Sequence, residues 1–522
     1  MTGPAYTVAP RPLDARLHTP LNLCHMVADG VDQAPEREAL ICNDVRWSHL
    51  ELGTRIAHLA RQLAHRISRG DMIAVIAPNS AHSVVALIAA MCAGSRVVPI
   101  NPFYPPADMA SLFAEKPALI LSVESTRDTA IKLAGDLGCS APLCVDESLF
   151  DTASQSTALA TLRDLGDTIG SDDPALLIFT GGTTGRSKAV EHSHRALIYS
   201  FQQHSTVWGL QYDTERILNV APVFHIWAFG FAMLAPIYLR GTLVLIERYA
   251  PEQVLQAIGQ HKVTVFAGGP APIYYGLLHS PSLNDADFTS LQLALTGGAA
   301  CPQTLKDAWK AAANSDLLEG WGMSECAPIC LNWRGEKTPN LSVGRPVPQT
   351  EIEIVDVEDD QRVLQVGEVG EVRVRGPQMM TAYRLQTGEP DLSLRNGWLY
   401  TGDIGRIDED GFVSLVDRKK EIVIVGGYNV YPREVEDTLR RHPTIQDVAV
   451  VGQKDDYLGE TPVAFIVTRH DVSDDALHDF CRDNLVKYKR PVRYIRIDEL
   501  PRTGPSKINK IALREMIKGL GE

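Results

Sequence analysis

LLIFTGGTTGRSKAVEHSH (residues 176–194) carries an apolar run of strand length into a loop of glycine and threonine, with a lysine beyond it. The apolar run reads as a buried strand. It delivers the chain into Thr180, Gly181, Gly182, Thr183, Thr184 and Gly185, and Lys188 follows three residues on. Glycines admit backbone conformations closed to other residues, so N–H groups in such a loop converge on a single anion. The threonine hydroxyls add donors and Lys188 adds positive charge. A phosphate suits this arrangement; an ordinary turn has the same composition, and the loop alone does not separate the two. It is not a Walker A loop, because no Gly-Lys-Ser/Thr closes it.

Outward from this loop, short β-branched runs alternate with helical patterns, which predicts βα units and largely parallel sheet. MIAVIAPNS (72–80) reads as a strand ending in a loop, 81–93 as a helix, and RVVPI (96–100) as the next strand. Similar units run through 243–246, 263–267 and 293–296. The polar run 146–161 reads as a surface excursion. Beyond about Leu341 the pattern turns β-rich, with EIEIVDV (351–357), GEVRVRG (370–376) and GFVSLVDR (411–418), and predicts a barrel-like subdomain. From Arg418 a compact unit follows: a strand, Gly426-Gly427, a second strand, a helix with Pro432 in its first turn, strands at 448–452 and 463–467, a helix over 474–485 and a last strand at 493–497. The expected architecture is α/β: a large N-terminal domain (1–417) of βα-layered sheets plus the barrel-like part, and a small mobile α+β domain (418–522).

A chain of 522 residues is long enough for two or more domains, and its 45% apolar and 22% charged shares are those of a globular protein. A formal net charge of −14 argues against general nucleic-acid binding, which needs basic surface. Any anionic ligand must then be held by local devices: backbone N–H groups, single basic side chains, a metal. Nine scattered cysteines without paired CxxC motifs predict neither a zinc site nor a disulfide framework, and fit a reducing cytoplasm. The N-terminus lacks a basic start followed by an apolar run, so no signal peptide is expected. VFHIWAFGFAMLAPIYL (223–239) falls short of the roughly 20 residues a membrane span needs and contains His225, Gly230 and Pro236. It reads as a buried helix beside an apolar pocket, and no integral membrane segment is expected.

The loop at 180–185 resembles the phosphate-binding signature of the adenylate-forming superfamily, which includes acyl-CoA synthetases, nonribosomal peptide adenylation domains and beetle luciferases. The resemblance extends in order through GWGMSE (320–325), YTGD (400–403), DRKKEIVIVGGYNVYPREVE (417–436) and PRTGPSKINK (501–510), most of the chain. It implies an AMP-forming acid–thiol ligase that activates a carboxylic acid with ATP and Mg²⁺ to an acyl-adenylate, then transfers the acyl group to coenzyme A. 4-Coumarate–CoA ligases and medium-chain fatty acyl-CoA ligases are the members it suggests. It also assigns residues. The ATP site takes Gly181, Gly182, Thr183, Thr184, Gly185 and Lys188; Gly298 and Ala299 beside adenine; Gly320, Trp321, Gly322, Met323 and Ser324; and Asp403 and Arg418 at the ribose, while Thr180 joins Glu325 and Lys507 as a catalytic residue. Glu325 holds Mg²⁺, a role a carboxylate can fill. Lys507 reaches the acyl phosphate, Lys420 is the hinge of the small domain, and Gly426 and Gly427 let the pantetheine arm of CoA pass. Taken singly, Glu325 and Lys507 also read as surface residues and Asp403 as a turn former. Three departures are visible: Trp321 where the family more often has Tyr, Gly181 where many members have Ser, and Thr-Gly-Pro-Ser before Lys507 where the glycine usually follows the serine.

APVFHIWAFGFAM (221–233) matches the family's acyl-pocket region, with His225, Ile226, Trp227 and Gly297 as expected lining. Amino-acid-activating members carry an Asp here; this chain has none, so an α-ammonium would lack a counter-ion. An aryl, arylpropenoic or medium-chain fatty acid suits the site, although some of these aromatics also read as core. CoA is the favoured acceptor because the chain ends soon after Lys507 with no carrier domain. A ligase loading a separate carrier protein, a luciferase-like oxygenase and a non-catalytic nucleotide-binding regulator are the alternatives.

Overall fold

The computed structural model describes residues 10–150, 155–180, 188–299, 301–384, 394–455, 457–503 and 507–519. The expected phosphate loop, residues 181–187, lies outside them. The chain forms two compact units: Ala9–Glu351 with Arg375–Leu392, and Ile352–Val374 with Ser393–Glu522.

The first unit is built on two sheets. One runs in the order Ser342–Pro346, Cys326–Leu331, Asp316–Met323, Leu293–Gly297, Val265–Gly269, Arg216–Asn219, Thr242–Leu245, Glu38–Cys42 and Val45–Ser48. Its central strands from Asp316–Met323 to Glu38–Cys42 are parallel and its margins antiparallel. The other has seven strands, in the order Ala382–Arg384, Lys188–Ser193, Pro174–Thr180, Arg96–Ile100, Met72–Ile76, Leu119–Ser122 and Leu143–Cys144. Central strands are apolar on both faces, as parallel strands covered on each side must be. Met72–Ile76 is buried along its whole length. So is every residue but His82 of the helix Ala81–Cys92, which Ser80 caps by accepting from the Ser83 N–H. One apolar core takes side chains from both sheets, Val75 and Leu176 with Leu243 and Leu295.

Two stretches differ from their sequence reading. From Gln155 the polar run becomes the helix Gln155–Gly166, with Ala158 and Leu162 in the core. Apolar residues at i and i+4 were enough to seat one face of it. The 223–239 run is helical from Ile226 and buried throughout only from Ala228, and Ala228–Met233 is a π-helical turn leading into Leu234–Tyr238. Pro236 lacks an N–H and cannot sustain a regular ladder there.

In the second unit, the runs expected after Leu341 form one sheet in the order Glu351–Val355, Gly370–Arg375, Trp398–Ile407 and Val413–Arg418. A second sheet orders Tyr428–Val430, Val423–Val425, Gly459–Thr468 and Ile445–Asp455, with Arg493–Arg496 parallel to Gly459–Thr468. The helix Pro432–Arg440 starts on its proline, and Asp474–Asn484 shares its core.

Neighbouring strands of the first unit approach closely where Gly297 faces Gly320. A Cβ on Gly297 would stand 2.8 Å from the Gly320 carbonyl oxygen, a backbone atom fixed by its own ladder. Gly297→Ala is therefore expected to destabilise the fold by about 1–3 kcal/mol, read as a lowered urea midpoint.

Candidate active site

Antiparallel pairing of Pro174–Thr180 with Lys188–Ser193 puts Thr180 opposite Lys188, so the two ends of the loop 181–187 are held side by side. The short strand Ala382–Arg384 pairs on the far edge of Lys188–Ser193, with Ala382 opposite Glu191, Tyr383 opposite Val190 and Arg384 opposite Ala189. Side chains alternate between the faces of a strand, which sorts this corner into two sides. On one, the Lys188 ammonium lies 5.1 Å from the centre of the Tyr383 ring, and the Tyr383 hydroxyl donates to Glu325 Oε1. On the other, the buried Glu191 carboxylate accepts from Arg384 at 2.9 and 3.0 Å, while Arg96 stands 3.7 Å away. Thr381 adds its backbone N–H to the Glu191 carbonyl and its hydroxyl to the carboxylate.

Glu325 is buried, and its carbonyl accepts from the Met380 N–H at 2.8 Å. Immediately before it, the Ser324 carbonyl lies 2.7 Å from His192 Nε2. Burial pulls the His192 pKa down to about 4, so the ring is neutral, and a carbonyl partner requires the proton on Nε2. The 320–325 turn is thus tied to the strand that closes the glycine loop. Trp321 is buried and sits opposite Cys330, whereas Gly322, Gly298 and Ala299 are exposed and Met323 half-buried. Gly298 has φ +79°, the left-handed region that favours glycine, and open space where a side chain would stand.

His225, Ile226 and Trp227 follow a turn that Asn79 clamps: its amide accepts from the Val223 N–H and donates to the Ala221 and Ile246 carbonyls. His225 is solvent-accessible yet closely surrounded, and desolvation lowers its pKa. Its Nδ1 accepts from the Trp227 N–H at 3.2 Å. Ile226 is buried. The Trp227 ring packs with His204, Trp208 and Phe231 at centroid distances of 5.9, 6.2 and 5.5 Å. Phe229 and Phe231 are core residues. The Trp227 indole N–H is buried without a hydrogen-bond partner among the described residues.

In the second unit Asp403 and Arg418 lie opposite each other on paired strands, with Arg418 Nε 2.7 Å from Asp403 Oδ1. Gly402, at φ +70°, lies where the register of the strand Trp398–Ile407 shifts just before Asp403, and the Thr401 hydroxyl accepts from the Asp403 N–H. Lys420 is exposed in the short turn Lys419–Glu421, whose half-buried Lys419 is 2.7 Å from Glu371. Gly426 and Gly427, both at positive φ, make the turn between Val423–Val425 and Tyr428–Val430, and space is open around Gly427. Lys507 stands opposite Thr503 in a short hairpin.

The structure thus joins Lys188 and Glu325 through one side chain, Tyr383, which the sequence reading did not single out; nor did it find Glu191. The run TAYR (381–384) bears no motif of its own, and only its pairing with Lys188–Ser193 gives it a place.

The family model described as AMP-binding enzyme matches residues 27–384, and that of the AMP-binding enzyme C-terminal domain matches 434–507. The chain is 32% identical to a long-chain-fatty-acid–CoA ligase of Bacillus subtilis, over 94% of this chain and 93% of the relative. Among solved structures it resembles ATP-bound MatB of Rhodopseudomonas palustris, with TM-score 0.85 and 26% identity over 96% of this chain and 100% of that one. It also resembles the o-succinylbenzoate CoA synthetase of Bacillus subtilis in complex with ATP and magnesium, with TM-score 0.79 and 28% identity over 94% and 99% of the two chains.

Desolvation lowers the pKa of His49, His192 and His194 to about 4 and of His204 to about 3. An unfolded chain takes up protons at these rings below about pH 6.5, where the folded chain still refuses them. Stability is therefore full above that pH and falls as pH drops toward about 4. Urea midpoints measured against pH should show this decline, and His204→Gln should reduce its slope.

Proposed function

This chain belongs to the AMP-binding enzyme family, and we propose that it is an acid–CoA ligase whose adenylation chemistry uses Lys188, Glu325, Asp403, Arg418 and Lys507. The reaction has two halves. A carboxylate attacks the α-phosphate of ATP, forming a carboxylate–phosphate bond as pyrophosphate leaves; the CoA thiol then attacks the acyl carbon and AMP leaves.

The observation that carries the reading is the side-chain linkage of Lys188, at the closing end of the glycine loop, to Glu325. Lys188 supplies positive charge beside the loop, where Gly181, Gly182, Thr183, Thr184 and Gly185 would offer donors to the phosphates. The buried Glu325 carboxylate suits Mg²⁺: it is a hard oxygen donor with one oxygen steadied by a phenol and the other outside that bond. Bound there, Mg²⁺ would offset phosphate charge. Asp403 is suited to accept from ribose hydroxyls, with Arg418 beside it. Trp321, Gly298 and Ala299 are proposed to bound the adenine.

The acid is proposed to be apolar, an aryl, arylpropenoic or medium-chain fatty acid. His225, Ile226 and Trp227 bring no carboxylate to answer an ammonium, and the aromatic group around Trp227 is of the kind that packs on hydrocarbon. Residues 418–522 are proposed to act as a mobile lid turning at Lys420, with Gly426 and Gly427 serving CoA.

Two outcomes test this reading. Glu325→Gln keeps the size of the side chain but removes its charge, and should lower pyrophosphate release by about 100-fold or more with the fold intact; a near wild-type rate at ordinary Mg²⁺ would refute the assignment. Lys507→Ala should cripple acyl-AMP formation yet still convert supplied acyl-AMP and CoA to thioester. Pyrophosphate release and CoA consumption, measured with each starting substrate, separate the halves, and equal loss of both would reject the role given to Lys507.

A further inference from the structure

Tyr383 touches both proposed charged groups. Its hydroxyl donates to Glu325 Oε1, and its ring stands 5.1 Å from the Lys188 ammonium. The strand register explains why. Tyr383 faces Val190, so Lys188, two residues back, is its diagonal neighbour on the same face, within reach of an aromatic ring. The neighbours of Tyr383 leave it little freedom. Arg384 is held by Glu191 through two hydrogen bonds, and Thr381 contributes a backbone and a hydroxyl bond to the same residue. The Met380 N–H binds the Glu325 carbonyl, so the backbone leading to Tyr383 is fixed to the very residue its hydroxyl meets.

A carboxylate meant for a metal and an ammonium meant for a phosphate have conflicting needs. Each must be oriented, but pairing the two directly would spend on each other the charge each is to offer its ligand. A phenol is a neutral donor and steadies a carboxylate without cancelling its charge. The face of its ring does the same for a cation.

We propose that Tyr383 is a positioning residue that aims Glu325 at the metal and Lys188 at the nucleotide phosphates. The inference rests on the assignment of Glu325 to Mg²⁺ given above. Tyr383→Phe removes the hydroxyl and keeps the ring; Tyr383→Leu removes both.

The test is nucleotide binding by calorimetry with no acid present, so that no reaction occurs. Binding of ATP is titrated against Mg²⁺ and measured separately in EDTA. Tyr383→Phe should raise the Mg²⁺ needed for half-saturation by about tenfold, the scale of a lost hydrogen bond to a charged group, with metal-free ATP affinity unchanged. Tyr383→Leu should weaken metal-free ATP binding as well; if that variant does not fold, Tyr383→Phe decides alone. A wild-type Mg²⁺ titration for Tyr383→Phe overturns the inference, as does an equal loss with and without metal. Glu325→Gln run in parallel separates the two claims. If it loses the Mg²⁺ dependence while Tyr383→Phe does not, only the role of Tyr383 fails. If Glu325→Gln itself titrates as wild type, the metal assignment fails and the inference with it.

Discussion

A carboxylate withdrawn from water must be met by charge and hydrogen bonds or give up its charge by taking a proton. Glu191 is that carboxylate here, and the way it is met organises the corner where the candidate chemistry lies. It sits on Lys188–Ser193, three residues past Lys188, and draws in Arg384 and Thr381, the first of them 193 residues away in sequence. Glu191 is buried while the Arg384 side chain is about half exposed, so solvent screens the ion pair, and the ladder to Ala382–Arg384 and the Thr381 bonds fix the register together with it. That register turns Tyr383 toward Lys188 and Glu325. The bonds made by Glu191 on one face of the strand thereby support the geometry of the candidate site on the other.

Much of the fold was legible because it is written in local patterns. The strands Met72–Ile76, Arg96–Ile100 and Leu293–Gly297, the helix Ala81–Cys92 and the proline-started helix Pro432–Arg440 all follow from apolar period, caps and breakers. Family motifs likewise marked Lys188, Glu325, Asp403 and Arg418, because each sits beside glycines or turn residues in a distinctive run. What was not legible depends on partners far along the chain. Tyr383 is 58 residues from Glu325, and no local pattern announces that they meet. The π-turn at Ala228–Met233 was hidden for a related reason. An apolar run records that a segment is buried, and only the packing around it decides which helical ladder is cheapest.

The glycines show how one residue type answers different constraints. At Gly297 and Gly320 the constraint is distance: added carbons would strike the Gly320 carbonyl and the Leu331 side chain. At Gly298 and Gly427 it is backbone conformation, since both have positive φ and open space beside them. A larger residue presses on the neighbouring strand at Gly297 and on the Leu331 side chain at Gly320, whereas at the second pair it strains the backbone and fills the space left open. Motif resemblance treats all four alike, and only the second pair leaves room for a ligand to approach the backbone.

The same separation of constraints bears on the acid. The imidazoles of His204 and His225 both meet Trp227, and desolvation favours the neutral form of each. His204 is further committed, because its Nδ1–H faces the Ser200 carbonyl at 2.7 Å. A neutral aromatic wall offers dispersion and apolar contact but no charge to answer an ammonium. If the acid lies there as proposed, one bearing an ammonium would lose its hydration without compensation, whereas one bearing only hydrocarbon or an aryl ring would lose nothing comparable. In the proposed acyl site, selection would therefore work by exclusion first, through the absence of a counter-ion among His225, Ile226 and Trp227, with the buried rings of His204, Trp208 and Phe231 holding Trp227 in place behind them.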